Sequence, residues 1–555
     1  MSVQVGAGNE SLELAVSPAT LGSTAQALSL PELLTLVFYF SQLADVATSA
    51  RVCKGWSDTA LNYLWRDLDS VFPLLELLFD INLIKGKPGS FMLKKLINVL
   101  GNADWDRFHS YGKRVRSLEF DEAWTYREDP QTPELDPMIV AVLCLHHPFG
   151  ASFLPRLQKL NWATEGSALS MLPFLSGELK ELYLEMSTET ASMVNEVLKV
   201  IIHRSPSLIK LSLEAKVQVV RVETSLAKWL QTTENLEEVS VPPYYLTPVI
   251  IQTLGSLPKL NVIEQGLKFT HPSDSSGVPQ FLPPGTFPNL TDISFNATLS
   301  EAQKFLLASQ EVGSRLVRIT LHAFGTMDSE DIPNFARHVA QNCPLMVNLG
   351  LDLFKVLESG ARPASQLTMA LLESLYPCTQ LESVGIGHPF PFTFHEDNVE
   401  QMGRAWPQMA FLDVCPDPDF SFPIEGQMGN PLSILSAFAK ALPKLKFLSL
   451  YFNQQEAPPF VDNLWPQHQF QNLTEVYFGL SGIPGDSVRK VGFYIASLCK
   501  ERPLVGYGAS SWHTGNLPSD WARTETAWKE VVETVDFAMG VKLAGQSSSQ
   551  ESVAQ

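Results

Sequence analysis

Asp413, Asp417 and Asp419 crowd one short stretch, the residue type and rough spacing that oxygen ligands take in a calcium loop. Pro416 and Pro418 interrupt that stretch, and no glutamate closes it at loop position twelve. Cys144 and His147 lie three apart, the reach of two metal ligands on one helix, with His146 between them, yet no second ligand cluster follows. His388, His395 and Glu396 form a similar fragment in a Pro/Phe-rich loop. Gly506-Tyr507-Gly508 lacks the further glycine and the helix that a phosphate loop needs, and neither a Walker-type lysine loop nor a nucleophile elbow occurs. The six cysteines (Cys53, Cys144, Cys343, Cys378, Cys415, Cys499) are scattered singly, as buried thiols of a reducing compartment are. These spacings predict no catalytic residues, no metal and no cofactor, and so a protein that is not an enzyme.

What, then, do the elements around these residues build? The chain has 555 residues, with 59 Asp and Glu against 40 Lys and Arg, a net charge of −19. An acidic excess of that size disfavours nucleic acid or an anionic membrane as partner. The apolar stretches Leu28–Phe40 and Phe72–Ile84 are broken by Glu32, Glu76 and Asp80 and are too short to span a bilayer. With no basic leader at the start, the expected location is cytoplasmic, nuclear or both.

Two textures lie between small polar tails at 1–27 and 544–555, both expected to be disordered. The first covers 28–69. Ser29 with Glu32 suits a capping box, and Pro31 suits the first turn of a helix carrying Leu30, Leu33, Leu34, Val37 and Phe38. A second helical stretch carries Leu43, Val46, Ala47 and Ala50, and a third Trp56, Ala60, Leu61, Leu64 and Trp65. Three helices this short bury their apolar faces poorly alone and need a partner. A helical linker over 70–111 follows.

The second texture fills 112–510, where apolar-x-x-apolar-x-apolar recurs. Copies stand at Val115-Leu118-Phe120, Leu157-Leu160-Trp162, Leu179-Leu182-Leu184, Leu208-Leu211-Leu213, Leu236-Val239-Val241 and Leu290-Ile293-Phe295. Further copies begin at Leu316, Met346, Leu381, Met409, Leu445 and Leu473, and a weaker one at Leu260. Most are about 22 to 36 residues apart, near the period of leucine-rich repeats. Helical stripes such as Met193–Ile201 end at a proline (Pro206, Pro344, Pro377, Pro407, Pro443) just before the next copy, and proline turns helix into strand. The expected fold is α/β: a small all-helical module, then a leucine-rich-repeat solenoid with a curved parallel sheet inside and helices outside. Trp521, Trp528, Val531, Val532, Val535 and Phe537, in the region 511–543, read as an amphipathic helix capping the last repeat.

The motifs Leu30-Pro31-Glu32-Leu33-Leu34, Val52-Cys53-Lys54-x-Trp56 and Leu64-Trp65-Arg66-Asp67-Leu68 resemble an F-box. With the repeats, and with Asp104-Trp105-Asp106-Arg107-Phe108 and Arg114-Val115-Arg116-Ser117-Leu118 between, the chain is similar to fungal F-box proteins with divergent leucine-rich repeats. The resemblance implies the substrate-recognition subunit of an SCF-type ubiquitin ligase. Its F-box would dock on a Skp-type adaptor and, through it, cullin, while the repeats hold an unidentified protein substrate. Carried over, Leu30, Pro31, Leu33, Leu34, Val52, Cys53, Trp56, Leu64, Trp65 and Leu68 are the adaptor-binding or helix-packing residues. Two other readings stay open: a scaffold bound to the adaptor outside a ligase, and a repeat-based binding module whose F-box has decayed.

Alternation along each strand turns the residues beside the last two apolar positions away from the core. On that row stand Lys159, Glu181, Tyr183, Glu185, Lys210, Glu214, Glu238, Asp292, Arg318, Asp352, Asp413, Tyr451, Glu475 and Tyr477. Acids outnumber bases, so a basic or tyrosine-compatible target segment is expected there. The long inter-repeat loops Gln265–Phe287, Pro416–Pro431 and Tyr451–Gln471 offer a second recognition rim. Asn453 alone stands where the repeat consensus places an asparagine. Lys113-Arg114-x-Arg116 reads as a solvated basic face.

Overall fold

The computed structural model describes residues 28, 30–84, 89–128, 135–148, 152–164, 166–187, 189–266, 282–308, 310–324, 330–353, 366–421, 428–453, 468–483, 487–510 and 516–553. Ser29, the tail 1–27 and most of the three long loops lie outside them. The class is α/β with a parallel sheet of fifteen strands in chain order. The chain divides into two compact units, Met1–Tyr183 and Leu184–Gln555.

The first unit begins with three short helices, α1 (Pro31–Tyr39), α2 (Leu43–Ser49) and α3 (Lys54–Leu64). α1 starts with Leu30 as its N-cap and no side-chain cap, while the expected capping box lies outside the described residues with Ser29. Gly55 falls in the first turn of α3, where glycine costs less than in a helix interior. Next come β1 (Asp67–Leu68), β2 (Ser117–Asp121) and β3 (Lys159–Thr164), with Leu68 opposite Leu118 and Leu118 opposite Leu160. The stretch expected as a linker contributes packed helices, with Leu74, Leu75, Leu96, Leu100 and Phe108 buried.

β4 (Glu181–Met186) spans the division between the units. The second unit holds β5 (Lys210–Ala215), β6 (Glu238–Val241), β7 (Val262–Gln265), β8 (Asp292–Ala297), β9 (Arg318–Ala323) and β10 (Asn348–Asp352). Then follow β11 (Ser383–Gly387), β12 (Phe411–Val414), β13 (Phe447–Leu450), β14 (Glu475–Tyr477) and β15 (Leu504–Gly506). Each copy of the sequence pattern places its apolar pair on one ladder: Ile293, Ile319, Leu349, Val384, Leu412, Leu448, Val476 and Val505 are lateral neighbours, and all are buried. The weaker copy at Leu260 is a full repeat, β7 pairing with β6 over four residues. Helices ending at a proline pack on the apolar side, among them Ala191–Arg204, Asp331–Asn342, Glu396–Ala405 and Ile434–Ala441.

The last helix, Trp521–Val553, packs Trp528, Val531, Val535, Ala538 and Met539 inward, and the Trp528 indole donates to the Ser481 carbonyl at 2.8 Å. Phe537, expected on this stripe, is exposed. The helix also runs through 544–553, expected to be disordered, because a nucleated helix propagates cheaply and no proline interrupts it. Lys542 reaches into the core and donates to the carbonyls of Ala496, Ser497 and Cys499, the last of them at 2.7 Å, at the C-terminal end of the helix Val488–Leu498. An ammonium there meets both the orphan carbonyls and the negative end of the helix dipole.

Candidate binding surfaces

The first candidate surface lies on α1 to α3. Their shared core is small: Leu34, Phe38, Val46 and Ala60 are buried, and Leu28, Ala50, Trp56, Tyr63 and Leu64 pack at its edge. Leu34 and Phe38, four apart, therefore use the inward face of α1. Leu33, Leu36, Val37 and Phe40, at i, i+3, i+4 and i+7, occupy another face and are all exposed, Phe40 to 79%. Leu30, Tyr39, Leu43 and Val52 extend the exposed set.

The ten sequence-assigned adaptor residues thus divide. Leu30, Pro31, Leu33, Val52 and Cys53 are exposed. Leu34 is core, and Leu64 packs against that core. Trp56 is half-buried, its indole donating to the Leu28 carbonyl at 3.1 Å. Trp65 packs tilted against Tyr111 of the helix Trp105–Gly112, 4.6 Å between ring centroids, and Leu68 belongs to β1, so neither is free for a partner as Leu33 is. Sequence reasoning missed Leu36, Tyr39 and Phe40. Their signal was there: 33–40 is apolar at nearly every position, more than a two-residue inner face can bury.

Below α3 a second feature gathers Arg66, Lys113, Arg114, Arg116 and Arg156 around a cavity of about 480 Å³, where the sequence showed only a solvated basic face. Arg114 is fixed by Asp58 at 2.6 Å and by Asn62. Arg116 and Arg66 occupy equivalent ladder positions, the Arg116 amide donating to the Arg66 carbonyl at 2.7 Å.

In the second unit the row facing away from the helices differs from the sequence expectation. Glu214 is buried beside Gly266, where any Cβ would collide with its carboxylate, and Tyr451 is buried too. Glu238 pairs with Lys210 at 2.7 Å, and Asp292 with Arg318 at 3.4 Å. Cross-strand pairing thus cancels part of the negative field, because lateral neighbours of opposite charge meet at ladder distance. Glu185 and Glu475 are half-buried, as are Glu181 and Tyr183 in the first unit, and Lys159 is exposed. The Tyr477 hydroxyl donates to the Gly508 carbonyl.

The acids that remain gather near β9 to β12. Asp352 lies 3.1 Å from His322. Asp413 is half-buried, and the chain doubles back beside it after β12: Cys415 takes a positive φ of 49° and returns Pro416 and Asp417 toward the sheet. Gly479, at φ 50°, lets that return pass, since a Cβ there would stand 2.1 Å from the Pro416 carbonyl. Asp417 accepts from the Ser510 amide at 2.8 Å, and Asp419 from the amides of Ser421 at 2.9 Å and Asn516 at 3.1 Å. Those two carboxylates staple loops, and the calcium-loop likeness has this structural origin. Burial pushes Asp413 up to about 6; the nearby Ser449 hydroxyl opposes that and Asp417 adds to it.

No protein-family profile and no curated protein matches this chain. Among solved structures it is similar to an internalin from Listeria monocytogenes, at 13% identity and a TM-score of 0.28, over 67% of this chain and 82% of that one. The repeat assignment accordingly rests on the ladders and helices described above.

The remaining chemistry-bearing residues are not drawn together. His388 is buried, its Nδ1 accepting from the Phe390 amide at 3.1 Å, and burial lowers its pKa to about 4. His395 caps the helix beginning at Glu396. His147 packs against His109 and Trp105, and burial lowers its pKa to about 4. Cys144 is exposed on the outer side of its helix. Among the described residues no group of three His, Cys, Asp or Glu is placed to hold a metal ion. No described helix is long and apolar enough to cross a membrane. Buried Asn430, rather than Asn453, does the asparagine work, donating to the Phe392 and Tyr451 carbonyls and accepting from the Phe394 amide at 2.8 Å.

Proposed function

We propose that this protein is a non-enzymatic adaptor, the substrate-recognition subunit of an SCF-type ubiquitin ligase. Residues 28–69 dock on a Skp-type adaptor and, through it, on cullin. The repeats of 112–510 hold a protein target on the sheet face opposite the helices, and the helix in 511–543 closes the last repeat. The observation that carries this reading is the exposed stripe Leu33, Leu36, Val37 and Phe40 on a helix whose inward face is used elsewhere. Apolar exposure of that kind marks a protein interface, and it falls in the segment that resembles an F-box. For the target, what supports a basic segment is the carboxylate group at Asp352, Asp413 and Asp417.

Co-precipitation from extract tests the reading. Recovery of adaptor with cullin supports it; adaptor alone points to a scaffold outside a ligase; neither points to a repeat-based binding module with a decayed F-box. Replacing Leu30 and Leu33 together by alanine is expected to weaken adaptor binding by more than about 1 kcal/mol without unfolding the chain, since both side chains are exposed.

A further inference from the structure

A cavity of about 400 Å³ opens on the side of β9 to β12 that faces away from the helices. Its origin is a single ladder. Ser294, Thr320, Gly350, Gly385, Asp413, Ser449 and Tyr477 are successive lateral neighbours at one position of seven strands. Gly350 and Gly385 stand side by side on this row; the Thr320 side chain leans over the first and nothing covers the second. A Cβ added at Gly385 would meet nothing within 4 Å, so the space above it is open. Thr320 and His322 wall one side, Asp413 the other, and Pro416, Asp417 and Ser510 come in from the returning loops.

The charges at this hollow are unbalanced. Arg318, at its rim, is already engaged by Asp292 at 3.4 Å. Asp417 is buried and Asp413 half-buried beside it, near enough to repel, and Oδ1 of Asp413 is sealed from water with only the neighbouring Ser449 hydroxyl to stabilise its carboxylate. A carboxylate oxygen kept from water and served by one neutral hydroxyl at most is costly, and such a group in a native fold has room for a cationic partner. The donor set does not suit a metal, since calcium takes about six to eight oxygens and no three-ligand group is assembled among the described residues. The volume falls in the lower part of the range for small-ligand sites, about 300 to 1,000 Å³.

We propose that this cavity receives one organic cation, a primary ammonium or guanidinium, anchored by Asp413 with Asp417 as the second carboxylate, and carried on a lysine or arginine of the target. The glycine floor admits the aliphatic stem, and the two acids hold the head. The inference deepens the target-binding reading and rests on it for the carrier of the cation, not for the cavity's chemistry.

The full chain is titrated calorimetrically with N-acetyl-lysine amide, N-acetyl-arginine amide and the neutral N-acetyl-norleucine amide. Saturable binding of the two cations and none of norleucine is expected. Asp413→Asn keeps shape and removes charge, and Gly385→Val fills the hollow without a clash; each should weaken cation binding at least tenfold, with thermal midpoints reporting that both fold. Glu196→Gln, on the helix side, should bind as the natural chain does. Norleucine amide binding as well as lysine amide, or both cavity variants binding cations normally, would overturn the proposal.

A pentapeptide with central lysine that binds more tightly than the capped residue supports a protein carrier. Equal affinity overturns that carrier in favour of a free amine. The target-binding reading is scored separately, by target co-precipitation. A target retained by Gly385→Val, with the amide probes lost, overturns the cavity's part in target binding while leaving that reading standing.

Discussion

The three-helix segment and the strand ladders use apolar residues in opposite ways. In α1 to α3 four residues make the core, while Leu33, Leu36, Val37, Tyr39, Phe40, Leu43 and Val52 stay in water. Along β8 to β15 one apolar ladder is buried from Ile293 to Val505 without a break. The ladders satisfy themselves because each strand–helix unit covers its neighbour. The helices are too short to do so, and what they leave uncovered is what a partner can bury. Repetition lets the ladders complete themselves, while the three helices leave apolar surface uncovered, two outcomes of the same shortage of surface.

The comparison breaks if the repeats are not tightly coupled. Trp528→Ala should show this most strongly: it removes a fully buried indole and its bond to Ser481, and a loss of about 3–5 kcal/mol is expected in denaturant unfolding. A loss under about 1 kcal/mol would mean that the last helix does not seal the array.

Asp413 sharpens the comparison, because there the ladder keeps a polar position as unsatisfied as the helix stripe is uncovered. Its folded pKa is raised to about 6 from 3.8, so its contribution to stability is full below the unfolded value and is lost as pH rises through about 6. Asp413→Asn should therefore be more stable than the natural chain at neutral pH by up to about 3 kcal/mol, the advantage vanishing by about pH 4. Asp417, Tyr477 and Cys415 interact electrostatically with Asp413 and stay in both chains, so the difference between the two unfolding curves reports Asp413 together with its coupling to them. The expected stabilisation is the mark of a group kept for binding. His388 works in the other direction. Its pKa is lowered to about 4, so its contribution is full above 6.5 and is lost as pH falls through about 4. His388→Gln should flatten the acid limb of the stability profile.

The smallest effect on stability is expected at Phe40. Phe40→Ser removes an exposed ring and should shift unfolding by no more than about 0.5 kcal/mol, yet reduce adaptor affinity in calorimetry. A large loss of stability with unchanged adaptor binding would make this stripe part of the fold.

Much of the array was legible because a period of apolar residues reports which side chains share a face. Most strands from Leu118 to Val476 follow that pattern, and Pro206, Pro344, Pro377, Pro407 and Pro443 mark turns from helix into strand. β1 and β15 escaped, since two or three residues such as Asp67-Leu68 and Leu504-Val505-Gly506 are too short for a period. Lys542 and Asn430 escaped for another reason: an isolated polar residue gives no sign that it will be buried against carbonyls far along the chain.

The amino-acid sequence by itself determined that strands and helices alternate, that their apolar ladders align, and that residues 28–69 hold more apolar surface than three helices can hide. Only the tertiary structure decided which of those residues face water, dividing Leu33 from Leu34 and Trp65 from Val52. It also decided that the face opposite the helices is not a uniform acidic row. Lys210 and Arg318 neutralise their lateral neighbours there, and the returns at Cys415 and Gly479 bring Asp417 in beside Asp413, next to Gly385 on its row. Spacing is a property of one segment, whereas burial and charge balance belong to segments that meet only when the chain is folded: Ser510 donates to an Asp417 that stands 93 residues earlier.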